Sequence, residues 1–215
     1  MTSRRQQWGA KRPAPRLYLV AGPVVDAAAL EAALASADVA AVLLSLPQAD
    51  ERASINRVKQ LAPVVQSRDA ALVLDGHPEI VARAGADGAH LSGADTIKAA
   101  IGSLKPDRIA GAGGLRSRHD AMLAAEAGAD YVMFGEPDGA GRRPIMDAIV
   151  ERISWWSELF EIPCVAFAGN LDEVEQLGQA GADFVALGDF VWTDWRGPAA
   201  LVNSAAEQLR SVEAV

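Results

Sequence analysis

The phrase Ala-Gly-Ala-Asp, each time leading into an apolar run, occurs three times in this chain, at residues 84–87, 127–130 and 180–183. A looser copy, Ser36-Ala37-Asp38, runs into the apolar stretch from Val39 to Leu44 and lacks the glycine. A glycine at this point supplies the positive φ that ends a helix, and small neighbours let the helix end lie close to the strand that follows. Each copy therefore predicts a helix stopping and a buried strand starting. Repetition at this spacing predicts a βα unit used several times over.

Strand-length apolar runs alternate with stretches of helical period along the whole chain, the pattern of a parallel sheet with crossover helices. The strands are predicted at Leu17 to Ala21, Val39 to Leu44, Ala70 to Leu74, Asp87 to Leu91, Arg108 to Ala112, Tyr131 to Phe134, Pro163 to Ala168 and Phe184 to Leu187. Helices are predicted near 26–35, 51–67, 78–84, 94–103, 117–127, 144–160, 171–180 and 198–210. Eight βα pairs give an α/β chain that closes as a single-domain (β/α)8 TIM barrel over residues 17–215. A doubly wound open sheet is the rival, but it needs fewer repeats and usually a glycine-rich first turn.

Half of the 215 residues are apolar, enough for the core of one domain. The net charge of −8 argues against a nucleic-acid partner, whose phosphates require a basic surface. Arg4, Arg5, Lys11, Arg12 and Arg16 cluster with Pro13 and Pro15 before the first strand, and residues 1–16 are expected to form a flexible basic leader. One cysteine, Cys164, fits packing in a reducing compartment. No apolar stretch is long enough to span a membrane and no signal sequence opens the chain, so the cytoplasm is the expected location.

In a barrel of this kind the site is built at the carboxyl ends of the strands, with phosphate commonly held after strands seven and eight. Strand seven ends in Ala168-Gly169-Asn170 and strand eight in Gly188-Asp189, so Gly169, Asn170 and Gly188 are candidate phosphate ligands through their amides. Asp189 is read as the cap of a short extra helix over 189–192. Asp75 and Asp95 follow strands three and four and could share a magnesium ion, or serve as turn and first-turn residues. Gly111-Ala112-Gly113-Gly114 lacks the lysine and hydroxyl of a phosphate-binding loop and reads as a flexible βα loop. The loop after strand six carries Arg142 and Arg143, which could clamp a phosphate or lie in solvent. His90 falls near the end of strand four and is a candidate substrate contact, whereas His77 and His119 are too scattered to complete a metal triad. Trp155, Trp156, Trp192 and Trp195 point to core packing and to a contact between copies in a homo-oligomer, with ligand stacking by Trp192 as the sharper alternative. No nucleophile elbow, zinc motif or catalytic triad is present.

The segments Tyr18-Leu19-Val20, Ala86 to Leu91, Gly128 to Val132 with Phe134-Gly135, and Ile162 to Asn170 resemble thiamine phosphate synthases and the related thiazole tautomerases. The order and spacing hold over about residues 17 to 210. The resemblance implies a (β/α)8 barrel that, in active members, joins a pyrimidine diphosphate to a thiazole phosphate with Mg2+ and releases pyrophosphate. It also implies phosphorylated small molecules as ligands. By the same resemblance Asp95 matches a metal aspartate, Asp75 and Gly76 stand where the family has Asn-Asp, and Arg143 stands where the loop has lysine. The basic Gln-x-Arg-x-Lys pattern expected after strand two is replaced by Leu44-Ser45-Leu46-Pro47. Gly114 and Ala140 replace a serine and a threonine, and Arg116 stands at the histidine position of the tautomerases, with His119 one turn later. Each missing positive group aimed at developing charge can cost about 10²-fold in rate, so ordinary synthase turnover is predicted to be lost. The alternative reading is a non-catalytic regulatory or interaction protein on the same barrel.

Overall fold

The computed structural model describes residues 13–213. The leader residues Arg4, Arg5, Lys11 and Arg12 lie outside them. Arg16, grouped by composition with the leader, is the first residue of the first strand. Eight parallel strands close into a barrel in sequence order: β1 (Arg16–Ala21), β2 (Val39–Leu44), β3 (Ala71–Asp75), β4 (Gly88–Ser92), β5 (Ile109–Gly113), β6 (Tyr131–Phe134), β7 (Cys164–Ala168) and β8 (Phe184–Leu187). Closure is made by β8 pairing β1, with Leu17 opposite Val185 and Leu19 opposite Leu187. The open-sheet rival is thereby excluded.

Helices alternate with the strands: α1 (Ala27–Ser36), α2 (Glu51–Gln66), α3 (Val81–Ala84), α4 (Ala94–Leu104), α5 (Arg118–Glu126), α6 (Met146–Leu159), α7 (Val174–Gln179), α8 (Phe190–Thr193) and α9 (Pro198–Glu213). Their starts follow side-chain chemistry. Asp26 and Asp50 accept from the amides of Ala29 and Ala53 at 2.8 Å, and Ser117 with Asp120 forms a capping box at α5. The helix predicted over 78–84 shrinks to one turn: residues 78–80 form a turn, with Ile80 N on His77 O at 3.2 Å and His77 at positive φ before it. The helix predicted over 171–180 opens as a 3₁₀ turn, Leu171–Glu173, before α7. Among the described residues no helix is long and apolar enough to cross a membrane.

The repeated phrase has one structural job. Gly85, Gly128 and Gly181 take φ of 80°, 103° and 98° and end their helices. The aspartate two residues on then clasps one residue of the strand before. Asp87 donates its amide to Leu72 O and accepts from Leu72 N (2.8 and 2.7 Å). Asp130 does the same to Ala110 (2.8 and 2.8 Å), and Asp183 to Cys164 (3.0 and 2.9 Å). Asp38, in the copy without glycine, holds the Arg16 guanidinium through both carboxylate oxygens instead. These clasps sit at the amino ends of the strands and satisfy amides that the barrel ladder leaves over.

Both strand faces are buried, which explains the unbroken apolar runs. Outward residues such as Leu19, Val42, Leu72 and Val185 pack under the helices. A separate cluster fills the barrel: Tyr18, Ala41, Leu43, Val73, Tyr131, Met133, Val165, Phe167 and Ala186. The inner face of β5 carries Gly111 and Gly113, and a Cβ on either would collide with the Tyr131 ring or with His90 and Glu136. The glycines expected to make a flexible loop instead make room for side chains of β4 and β6. Trp156 is fully buried, stacks on Phe160 at 4.0 Å and donates to Ile162 O at 2.8 Å, as core packing requires.

Candidate functional site

The carboxyl ends of the strands carry two polar clusters. The first rises through the barrel. The hydroxyls of Tyr18 and Tyr131 share a hydrogen bond of 2.9 Å, and the Tyr131 hydroxyl pairs with His90 Nδ1 at 3.0 Å. The His90 and Tyr131 rings stack at 5.6 Å and 18°. His90 is only 4% exposed, and burial pushes its imidazole down to about 4 against the opposing pull of Asp75. It is therefore neutral near pH 7. Burial pushes both tyrosine hydroxyls up, so they stay protonated.

Glu136, on the loop after β6, reaches over this column. Its Oε1 accepts from Gly114 N at 2.5 Å, and burial raises its carboxyl in spite of that amide. Glu136 Oε1 and His90 Nε2 both crowd the space over Gly113. Carboxyl and imidazole thus meet at the mouth end of β5, the first moved up and the second moved down, both by burial. Sequence reasoning found His90 and missed Glu136. The alternation of the strands held a signal: His90 and Tyr131 fall on inward positions, and Gly111 and Gly113 on the inward positions between them.

The second cluster joins the ends of β6 and β7. Arg143 donates from Nε to Gly135 O (2.7 Å) and from Nη2 to Phe167 O (2.8 Å), tying the loop after β6 to β7. Its outer edge grips Glu173, with Nη1 on Oε1 at 3.2 Å and Nη2 on Oε2 at 2.9 Å. Gly169 N donates to the same Oε2 at 2.7 Å, and Asn170 Nδ2 to Oε1 at 3.1 Å. Asn170 Oδ1 in turn accepts from Glu173 N at 3.2 Å, capping the 3₁₀ turn. Three of the predicted phosphate ligands, Arg143, Gly169 and Asn170, are thus brought together around one carboxylate. Glu173 was absent from the sequence reading. Gly188 has another role than the expected donor: its amide is held by Ala168 O at 3.0 Å, and its missing side chain makes room for the Phe167 ring.

The remaining candidates are spread around the rim. Asp75 ends β3 and accepts from Ser45 Oγ at 3.0 Å, and Asp95 is exposed in the first turn of α4. They sit after adjacent strands, and among the described residues no three His, Cys, Asp or Glu side chains are placed to hold a metal ion together. Asp189, expected to cap α8, makes no side-chain bond to it; its Oδ1 faces Gly22 after β1. The backbone of Asp189 is already helical, which turns the carboxylate away from the α8 amides. Trp192 is partly buried against the core and donates from Nε1 to Val20 O at 2.6 Å, which ties α8 to β1. Arg142 pairs with Asp138 at the surface, and His119 is exposed on α5. After β2 no lysine or arginine stands between Leu44 and Asp50.

The chain was compared with known proteins. A family model described as thiamine monophosphate synthase matches residues 17–191. A thiamine-phosphate synthase of Rhodospirillum centenum is 43% identical over 195 residues, covering 87% of this chain and 94% of the relative. One from Hyphomonas neptunium is 35% identical over 205 residues, covering 90% and 93%. Among solved structures, a thiamine phosphate pyrophosphorylase from Pyrococcus furiosus superposes with a TM-score of 0.78 at 23% identity, covering 92% of this chain and 96% of that one. The barrel, the order of its strands and these likenesses agree: the chain belongs to the thiamine monophosphate synthase family.

Proposed function

We propose that this barrel binds a phosphorylated small molecule at its carboxyl mouth and has lost ordinary coupling of a pyrimidine diphosphate to a thiazole phosphate. The observation that carries the reading is the convergence of Arg143, Gly169 N and Asn170 Nδ2 on a single pair of anionic oxygens. A guanidinium fork with amide donors beside it is the arrangement that recognises phosphate. The opposite half of the mouth offers Leu44, Ser45, Leu46 and Pro47, with no charge to meet a leaving pyrophosphate.

Asp75 and Asp95 supply carboxylate oxygens, the donor chemistry of Mg2+, which keeps most of its water and completes its shell on phosphate. Bound there, the ion would neutralise charge on a diphosphate. Asp75 would hold its carboxylate steady through Ser45, and Asp95 would bring the second from α4. The single cysteine, buried on β7, is in keeping with a cytoplasmic setting.

The test is thermal melting with inorganic phosphate and with thiazole phosphate, followed by an assay for thiamine phosphate through its oxidised fluorescent product. A rise in Tm without turnover is the expected result. No shift at millimolar ligand, either in this chain or in Glu173→Ala, would sink the binding claim. Turnover that falls in Asp95→Ala would restore the synthase activity. The alternative, a non-catalytic interaction protein, is favoured by one observation: Val24, Ile145 and Trp195, on loops after β1, β6 and α8, are 91%, 74% and 91% exposed. Protein that is monomeric and retrieves no partner from its native lysate would count against it.

A further inference from the structure

The anion cluster is full. Each oxygen of the Glu173 carboxylate takes two donors: Oε1 from Arg143 Nη1 and Asn170 Nδ2, Oε2 from Arg143 Nη2 and Gly169 N. Both side chains are mostly shielded, Glu173 at 18% and Arg143 at 22% exposure. Donors gathered this way around two oxygens would serve two oxygens of a phosphate equally well. Glu173 reaches them from the 3₁₀ turn only three or four residues after Gly169 and Asn170, and its partial exposure leaves a path for the side chain to swing outward.

We propose that Glu173 is a built-in stand-in for the ligand: in the free protein its carboxylate occupies the anion subsite, and a phosphate group binds only by displacing it. The inference rests on the phosphate reading given above. Arg143 keeps its Nε bond to Gly135 O and its Nη2 bond to Phe167 O in either state, so the subsite stays assembled while its occupant changes. The carboxylate acts in two ways. It removes the free energy cost of a buried, unpaired guanidinium, and it sets a threshold that weakly held anions fail to pass. The apparent affinity is the intrinsic one reduced by the fraction of molecules with Glu173 swung out, so a site closed nine-tenths of the time binds about tenfold more weakly than an open one.

The test compares wild type, Glu173→Ala and Glu173→Gln by calorimetric titration with inorganic phosphate and with thiazole phosphate, circular dichroism confirming the fold of each. Both variants should bind phosphate about tenfold or more tightly than wild type. Acetate supplies an independent readout. It should raise the Tm of Glu173→Ala by refilling the vacated oxygens and leave wild type unmoved. Equal or weaker phosphate binding in folded variants, with no acetate effect, would overturn the inference while leaving the phosphate reading intact in a wild type that binds. Failure of phosphate and thiazole phosphate to bind any of the three proteins would overturn both. If Glu173→Ala fails to fold, Glu173→Gln alone decides, because its amide keeps the shape and places a donor against a donor.

Discussion

The two ends of this barrel handle buried polarity in opposite ways. At the amino end, Asp87, Asp130 and Asp183 each clasp one residue of the preceding strand, and every such carboxylate adds hydrogen bonds that the ladder lacks. At the carboxyl end, His90 is kept neutral, burial raises the Glu136 carboxyl, and Arg143 and Glu173 neutralise one another. The first end gains stability from its polar groups, and the second gives up part of that gain by burying groups that titrate or must be paired. That division is expected of a fold whose chemistry is confined to one face.

Acid should expose the difference most sharply. Between its ordinary 6.5 and about 4, His90 binds a proton in the unfolded chain and not in the folded one, so stability falls as pH drops through that window and levels off below it. The loss is about 3 kcal/mol at its limit. Glu136 works in the other direction, since its raised carboxyl takes up a proton first in the folded state. Urea unfolding at pH 7 and pH 4 should show His90→Gln losing much less than wild type; parallel losses would remove His90 as the cause.

At the amino end, Asp130→Ala takes away the carboxylate half of the clasp on Ala110 and the ion pair with Lys105, and should cost about 2 kcal/mol. Phosphate affinity should not change. An altered affinity would mean that the two ends are coupled. Gly113→Ala, in the mouth, puts a methyl into the space of His90 and Glu136 and should cost about 1–2 kcal/mol by overpacking. The smallest effect on unfolding is expected for Asp95→Ala, within about 0.5 kcal/mol, because Asp95 is exposed on α4. A larger loss would make Asp95 part of the frame and weaken its assignment to a metal.

The same contrast explains what the sequence could tell. All eight strands were readable, because a strand buried on both faces is a plain apolar run and the Ala-Gly-Ala-Asp phrase marks where three of them begin. β2, β6 and β8 fall on the predicted residues, and the other strands differ by a residue or so at an end. The weak elements were those held by tertiary contacts, such as α3 and the 3₁₀ turn before α7. The mouth was legible only in part. Arg143, Gly169 and Asn170 are expected from the sequence as phosphate ligands and lie together in the structure, Asn170 through its side-chain and not its backbone amide, but Glu173, four residues beyond Gly169, looks like any acidic residue in a first helical turn. Nothing in its neighbours says that its carboxylate folds back onto Arg143. The inward glycines of β5 misled for a related reason, since a gap in one strand has meaning only beside the strands that fill it.

Above Ile109, the inner face of β5 shows the barrel axis nothing but backbone at Gly111 and Gly113. A wall without side chains has no rotamers to change. On this side of the barrel the movable groups are therefore His90 of β4, Tyr131 of β6 and Glu136 of the loop after it, while β5 is the fixed surface against which their positions are set.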